Sequence, residues 1–182
     1  MESQPTRVVY CADTSSLVNV QRKYPLAVFP GVWDRLSELA SEGRLVAARE
    51  VLNELARGGD DEIYQWAREH KFMFEDPDGD QIEAAREIVN DQKFQGLFDI
   101  DSESPHADPY VIALAATHQR RGSLFPSQYI VVAEEVRAQP GRKPRIPDVC
   151  SDPRYQLECI NMLEMFKREG WEFVKKVPGG TT

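Results

Sequence analysis

"RVVYCADTSS", residues 7–16, sets an unbroken apolar run against one carboxylate and then three hydroxyls. Val8, Val9 and Tyr10 favour a pleated strand, and a run this short, closed by turn-forming residues, suits a buried strand better than a helix. A first strand over Arg7–Ala12 leaves Asp13 at its carboxyl end. Ser15 and Ser16 are candidate caps for a short helix carrying Leu17, Val18 and Val20. That helix fails near Tyr24-Pro25, because proline disfavours a helical residue before it.

The alternation continues along the chain. Pro30–Ser41 places Val32, Trp33, Leu36, Leu39 and Ala40 on one stripe, with Pro30 at the first helical position and Gly43 as the stop. Leu45–Ala48 predicts a second strand, followed by a helix with Val51, Leu52 and Leu55 that ends at Gly58-Gly59. A helix over about 61–70, a third strand at Phe72–Phe74 and a helix with Ile82, Ala85, Ile88 and Val89 come next. Asp108 and Pro109 read as N-cap and first residue of the most apolar helix, and Tyr129–Ala133 as a fourth strand ending at Glu134 and Glu135. A final strand over 146–150 and an amphipathic helix with Cys159, Ile160, Leu163 and Phe166 close the pattern. Strands alternating with helices imply parallel strands joined by right-handed crossovers. The expected fold is therefore α/β, with helices covering both faces of a mainly parallel sheet of four to five strands.

Composition narrows the function classes. With 182 residues, 41% apolar and 29% charged, the chain has the make-up of one soluble domain, expected over residues 1–176 with a flexible tail at 177–182. A formal net charge of −8 argues against a nonspecific nucleic-acid coat, which works by neutralising phosphates. No apolar window is long enough for a membrane span and the amino terminus lacks a signal-peptide core, so the expected location is the cytoplasm. Cys11, Cys150 and Cys159 form no CxxC pair and read as buried thiols.

In parallel α/β sheets the working site lies outside the carboxyl ends of the strands. Asp13, Glu54, Asp108 and Glu134 or Glu135 are all directed toward that edge. Singly, each reads as a helix cap or a solvated charge. Together they would repel by about 4 kcal/mol for each pair at ~4 Å and an effective dielectric near 20. A hard divalent cation, Mg²⁺ or Mn²⁺, offsets that repulsion with oxygen ligands, where zinc would favour His or Cys. Such a site suits phosphodiester hydrolysis. An aspartyl phosphotransferase of the haloacid-dehalogenase type is less consistent, since its second Asp would fall at Ser15. No Gly-rich phosphate loop follows any strand.

The strand ending in Asp13-Thr14-Ser15, "REVLNEL" with Glu54, "ADPYVIALA" with Asp108 and "IVVAEE" resemble, in order and spacing, the PIN-domain ribonucleases over about residues 7–150. "YPLAVFPGVWDRL" and "RIPDVC" resemble a VapC-like branch of them. The resemblance implies a three-layer, Rossmann-like α/β/α sandwich and a Mg²⁺- or Mn²⁺-dependent endoribonuclease, commonly the toxin of a type II toxin–antitoxin pair. Its partners would be RNA, a cognate antitoxin with a helix-turn-helix domain and a second copy in a homodimer, with no membrane. Asp13, Glu54 and Asp108 match the three most constant acids of the family. At the fourth position, where the family shows Thr or Ser, any residue, then Asp, this chain has Ala133, Glu134 and Glu135.

On this basis Asp13 and Asp108 hold the cation directly and Glu135 assists. Glu54 completes the set or takes a proton from the attacking water, and Thr14 or Ser15 orients Asp13. The segment "RAQPGRKPRIP", 137–147, has four cations, no anions and three prolines, which predicts an exposed loop. Arg137, Arg142, Lys143 and Arg145 are its candidate RNA-binding residues. His106, two residues before Asp108, is a weaker candidate as a leaving-group acid. The alternative to the nuclease is a PIN-like scaffold that binds RNA or a protein without cutting.

Overall fold

The structure is a computed structural model and describes residues 6–95, 97, 106–121 and 127–172. The tail expected at 177–182 lies outside these. Five strands, β1 (Arg7–Ala12), β2 (Leu45–Ala48), β3 (Phe74–Glu75), β4 (Ser127–Val132) and β5 (Glu158–Ile160), form one sheet in the order β3-β2-β1-β4-β5. Every pairing is parallel. The longest ladder joins β1 to β4, from Arg7 opposite Ser127 to Ala12 opposite Val132. The strand order turns back between these two, so the crevice at their carboxyl ends is the switch point of the sheet.

Helices α1 (Thr14–Lys23), α2 (Pro30–Ser41), α3 (Arg49–Arg57), α4 (Asp61–Glu69), α5 (Gly79–Asn90), α6 (Ala107–Arg121), α7 (Ile146–Cys150) and α8 (Met162–Arg168) flank the sheet and complete a three-layer α/β/α sandwich. The bounds of β1, α2 and β2 coincide with those predicted. Gly43 ends α2 at a φ of 65°, where the Arg44 amide reaches back 2.8 Å to the Leu39 carbonyl. A left-handed residue is needed there, and glycine takes that conformation without steric cost.

α6 is apolar around much of its circumference, with Val111, Ile112, Ala113, Leu114, Ala115 and Ala116 all buried. A helix of that kind belongs between two layers. It packs on β1, β2 and β4 on one side and on α5 on the other, where Ala84 and Ala85 meet Ala113. Small residues at this contact let the helices come close, and because α6 leads back into the parallel strand β4, its first turn lies at the carboxyl edge of the sheet.

Three expectations need correction. Lys71–Met73 is a turn of 3₁₀ helix, and only Phe74–Glu75 pairs as a strand. Residues 146–150 form α7, with Pro147 in its first turn and Asp148 three positions beyond its Arg145 cap; that is a helix-start pattern, which outweighs the β-branched residues. Cys159 and Ile160 belong to β5, and the last helix begins only at Met162, capped by Asn161, whose side chain accepts from the Glu164 amide. All three cysteines are free thiols; Cys11 and Cys150 are buried and Cys159 is partly so. Among the described residues no helix is long and apolar enough to cross a membrane.

The end of α8 is tied back to the middle of the sheet. Glu169 accepts two bonds from Arg44, at 2.5 and 2.9 Å, and one from the Tyr10 hydroxyl at 2.8 Å, while Arg44 Nε reaches the Val8 carbonyl. Tyr10 is 1% exposed, and Glu169 is the acceptor its buried hydroxyl uses. Glu169→Ala is expected to lower the unfolding free energy by about 2 kcal/mol, and Glu169→Gln, which keeps one acceptor, by about half as much, as read from urea denaturation midpoints.

Candidate functional site

Asp13 follows β1 in an extended conformation and is itself the N-cap of α1. Its Oδ2 accepts from the Ser15 amide at 3.0 Å, and its backbone carbonyl takes the Ser16 amide and hydroxyl. Ser15 and Ser16 are therefore not the caps. They support the residue that is, and the Ser15 hydroxyl also accepts from the Glu134 amide at 3.2 Å. The carboxylate is 2% exposed, yet its Oδ1 is buried with no partner among the described residues. Burial pushes the Asp13 carboxyl up to about 6, against the hydrogen bonds from Ser15 and Thr14; Glu54 adds to the rise.

Asp108 lies inside the first turn of α6, because the helix begins at Ala107 rather than at Pro109. The capping expected of Asp108 is done by Glu54 of α3, whose Oε1 accepts from the Ala107 amide at 2.8 Å. The other oxygen of Glu54 accepts from the Thr14 hydroxyl at 2.5 Å. Relieved of capping, Asp108 is pushed up to about 8, first by burial and then by Asp13, Glu54 and Glu135. The four acids named from the sequence thus act on one another electrostatically at the switch point. No three of the described His, Cys, Asp and Glu side chains sit close enough to hold a metal ion as they stand, since Glu54 and Glu135 are drawn toward backbone amides.

Residues 133–135 separate two glutamates that spacing alone leaves equivalent. Ala133 is buried and its amide bonds the Ile160 carbonyl of β5. Glu134 is directed toward α1 and α8: Oε2 accepts from Asn19 at 2.5 Å and Oε1 from the Met162 amide at 3.0 Å, with Lys23 at 3.9 Å. Glu135 points the other way, accepts from the Ile146 amide at 3.0 Å, and lines a concave pocket with Asp108. Glu135, not Glu134, is the fourth acid of the group.

That pocket, of about 640 Å³, is also lined by Arg137, Arg142, Lys143 and Arg145, the four exposed cations of the loop after β4. The loop is closed at its base by Asp148, whose Oδ2 accepts from the Ala138 amide at 3.1 Å and the Arg145 amide at 2.7 Å. Asp148 is the residue the sequence reading missed; the proline-then-acid order of a helix start is the signal that finds it. Two further buried atoms on the same edge have no partner among the described residues: Glu50 Oε2, one helical turn before Glu54, and His106 Nε2, beside Ala107.

The fold and site define an α/β protein with a parallel sheet and an acidic centre at its switch point, beside a basic pocket. Residues 10–173 match the model of the family described as "Domain of unknown function (DUF4411)", and the chain belongs to that family. No curated protein and no solved structure matches it.

The raised carboxyls set the pH response. A carboxyl whose folded-state pKa exceeds its unfolded value makes the folded protein bind more protons, so stability falls as pH rises through the interval between the two. For Asp108 that interval runs from about 4, its ordinary value, up to about 8. Without added divalent cation, Asp108→Asn is expected to stabilise the protein at pH 8.5 by on the order of 2 kcal/mol and to do little at pH 4. Thermal melts across that range measure the difference.

Proposed function

We propose that this protein is a metal-dependent endoribonuclease that hydrolyses RNA phosphodiester bonds at Asp13, Asp108 and Glu135. The observation that carries the proposal is the buried Oδ1 of Asp13, without a partner among the described residues, together with a carboxyl, Asp108, that burial and three other acids, Asp13 among them, push up to about 8. Folding alone gains nothing from that juxtaposition, whereas a cation would reverse its sign. The donor set consists of oxygens only, and it fits Mg²⁺ or Mn²⁺ rather than zinc. Asp13 and Asp108 would hold the ion with Glu135 assisting, and the bound ion would supply an acidified water and charge neutralisation at the phosphate.

The chain's own residues provide the rest. Ser15 fixes the orientation of Asp13 through its amide. The apolar end of the sheet beneath, with Ala12, Val132 and Ala133 buried, keeps bulk water from behind the carboxylates. Arg137, Arg142, Lys143 and Arg145 would bind RNA phosphates on either side of the bond to be cut, since they line the same pocket as Asp108 and Glu135. From the resemblance to VapC-like PIN proteins, the proposal extends to the toxin half of a type II pair, acting in the cytoplasm, with a cognate helix-turn-helix antitoxin and a homodimer as partners.

A second reading, a PIN-like scaffold that binds RNA without cutting it, is favoured by one observation. Glu54 and Glu135 already serve as hydrogen-bond acceptors for the Ala107 and Ile146 amides. Cation binding separates the two. A nuclease should gain several degrees in melting temperature with millimolar Mn²⁺ and lose cleavage of an RNA pool with chelator, and Asp13→Ala should abolish both effects. Cleavage of RNA by Asp13→Ala at the wild-type rate would end the nuclease reading. Converting Arg137, Arg142, Lys143 and Arg145 to Gln should flatten the salt dependence of RNA binding by about 0.7 log units per log unit of salt for each phosphate that is no longer neutralised. An unchanged slope would remove the loop from the binding surface.

A further inference from the structure

We infer that Glu54 is a positioning residue that ties the first turn of α1 to the first turn of α6 and thereby sets the spacing of Asp13 and Asp108. The inference rests on the reading of those two aspartates as the cation-holding pair. Its basis is the symmetry of the bridge. One oxygen of Glu54 takes the hydroxyl of Thr14, the neighbour of Asp13, and the other takes the amide of Ala107, the neighbour of Asp108. α3 stands against both α1 and α6, so this one side chain spans from one to the other.

A carboxylate is suited to that span because it offers two acceptors fixed in one plane. Its charge is also favoured at the start of a fifteen-residue helix, where free amides and the helix dipole are positive. Turning Glu54 away to take a proton from water would leave the Ala107 amide and the Thr14 hydroxyl without their acceptor. Glu54 therefore acts through Asp13 and Asp108.

Glutamine separates bridging from charge. Its carbonyl can accept from Ala107 while its NH₂ donates to the Thr14 oxygen, so Glu54→Gln keeps the bridge and Glu54→Ala removes it. Mn²⁺ affinity, measured from the free-ion signal by electron paramagnetic resonance, should fall on the order of 10- to 100-fold in Glu54→Ala and Thr14→Val, as when groups that orient metal ligands are removed. The fall should stay below about threefold in Glu54→Gln and Thr14→Ser. Melting of the cation-free protein should follow the same order, with the double variant Thr14→Val/Glu54→Ala no worse than Glu54→Ala alone. If Glu54→Gln binds Mn²⁺ as poorly as Glu54→Ala while Thr14→Val binds normally, Glu54 acts through its charge and the inference is overturned. Asp13→Asn is the control for the underlying reading. If it binds Mn²⁺ as tightly as wild type, the cation site is what fails, and additive melting losses for the Thr14 and Glu54 variants would then overturn the bridge by themselves.

Discussion

The Asp13 amide donates to the Val132 carbonyl at 2.9 Å, one rung beyond the last paired residues of β1 and β4, and the arrangement of the site depends on that bond. It holds Asp13 in extended conformation at the moment the chain must turn into α1, so the carboxylate becomes the cap of the helix and cannot leave the sheet edge. It also brings the start of α1 beside residues 133–135, where the Glu134 amide reaches the Ser15 hydroxyl. The two strands that flank the switch point are thereby joined through the same few atoms that orient the first acid.

Around that junction the acids have ordinary duties as well as the proposed one. Asp13 caps α1, Glu54 holds the first amide of α6, Glu135 that of α7 and Glu134 that of α8. Helix starts are electropositive, and a carboxylate at each is stabilising. Capping thus accounts for much of the acid content of this edge without any ligand. It does not account for Asp108, whose first-turn position is already served by Glu54, nor for the second oxygen of Asp13. With Glu50 Oε2, a further buried oxygen on this edge without a partner among the described residues, these groups carry the negative charge that helix capping leaves over, and that excess is what separates this edge from a set of well-capped helices.

The division between what the sequence revealed and what it did not follows the range of the interactions. β1, α2 and β2 were legible because apolar period, Pro30 and Gly43 act within a few residues. The parallel sheet was legible because strands and helices alternate. The acids were legible as a group because each follows or starts an element directed at one edge. Residues 146–150 misled because Ile146 and Val149 favour a strand, while the Glu135 carboxylate that anchors the first turn of α7 lies eleven residues back. Likewise nothing local to "ADPYVIALA" shows that its cap comes from α3. Glu54 was found by its type and place, but its partners belong to two other helices, and its bridging geometry is a tertiary fact.

The loop over residues 136–145 is fastened at its two feet, by Glu135 to Ile146 and by Asp148 to Ala138 and Arg145, and its far end is free of both carboxylates. Lengthening a loop that is closed at the base costs little entropy, roughly 0.6 kcal/mol for each doubling. Insertions or exchanges between Gln139 and Lys143 can therefore accumulate without moving Asp108 or Glu135. Relatives that keep the acids while varying this segment would differ in the length and charge of the pocket wall and not in the placement of the acids.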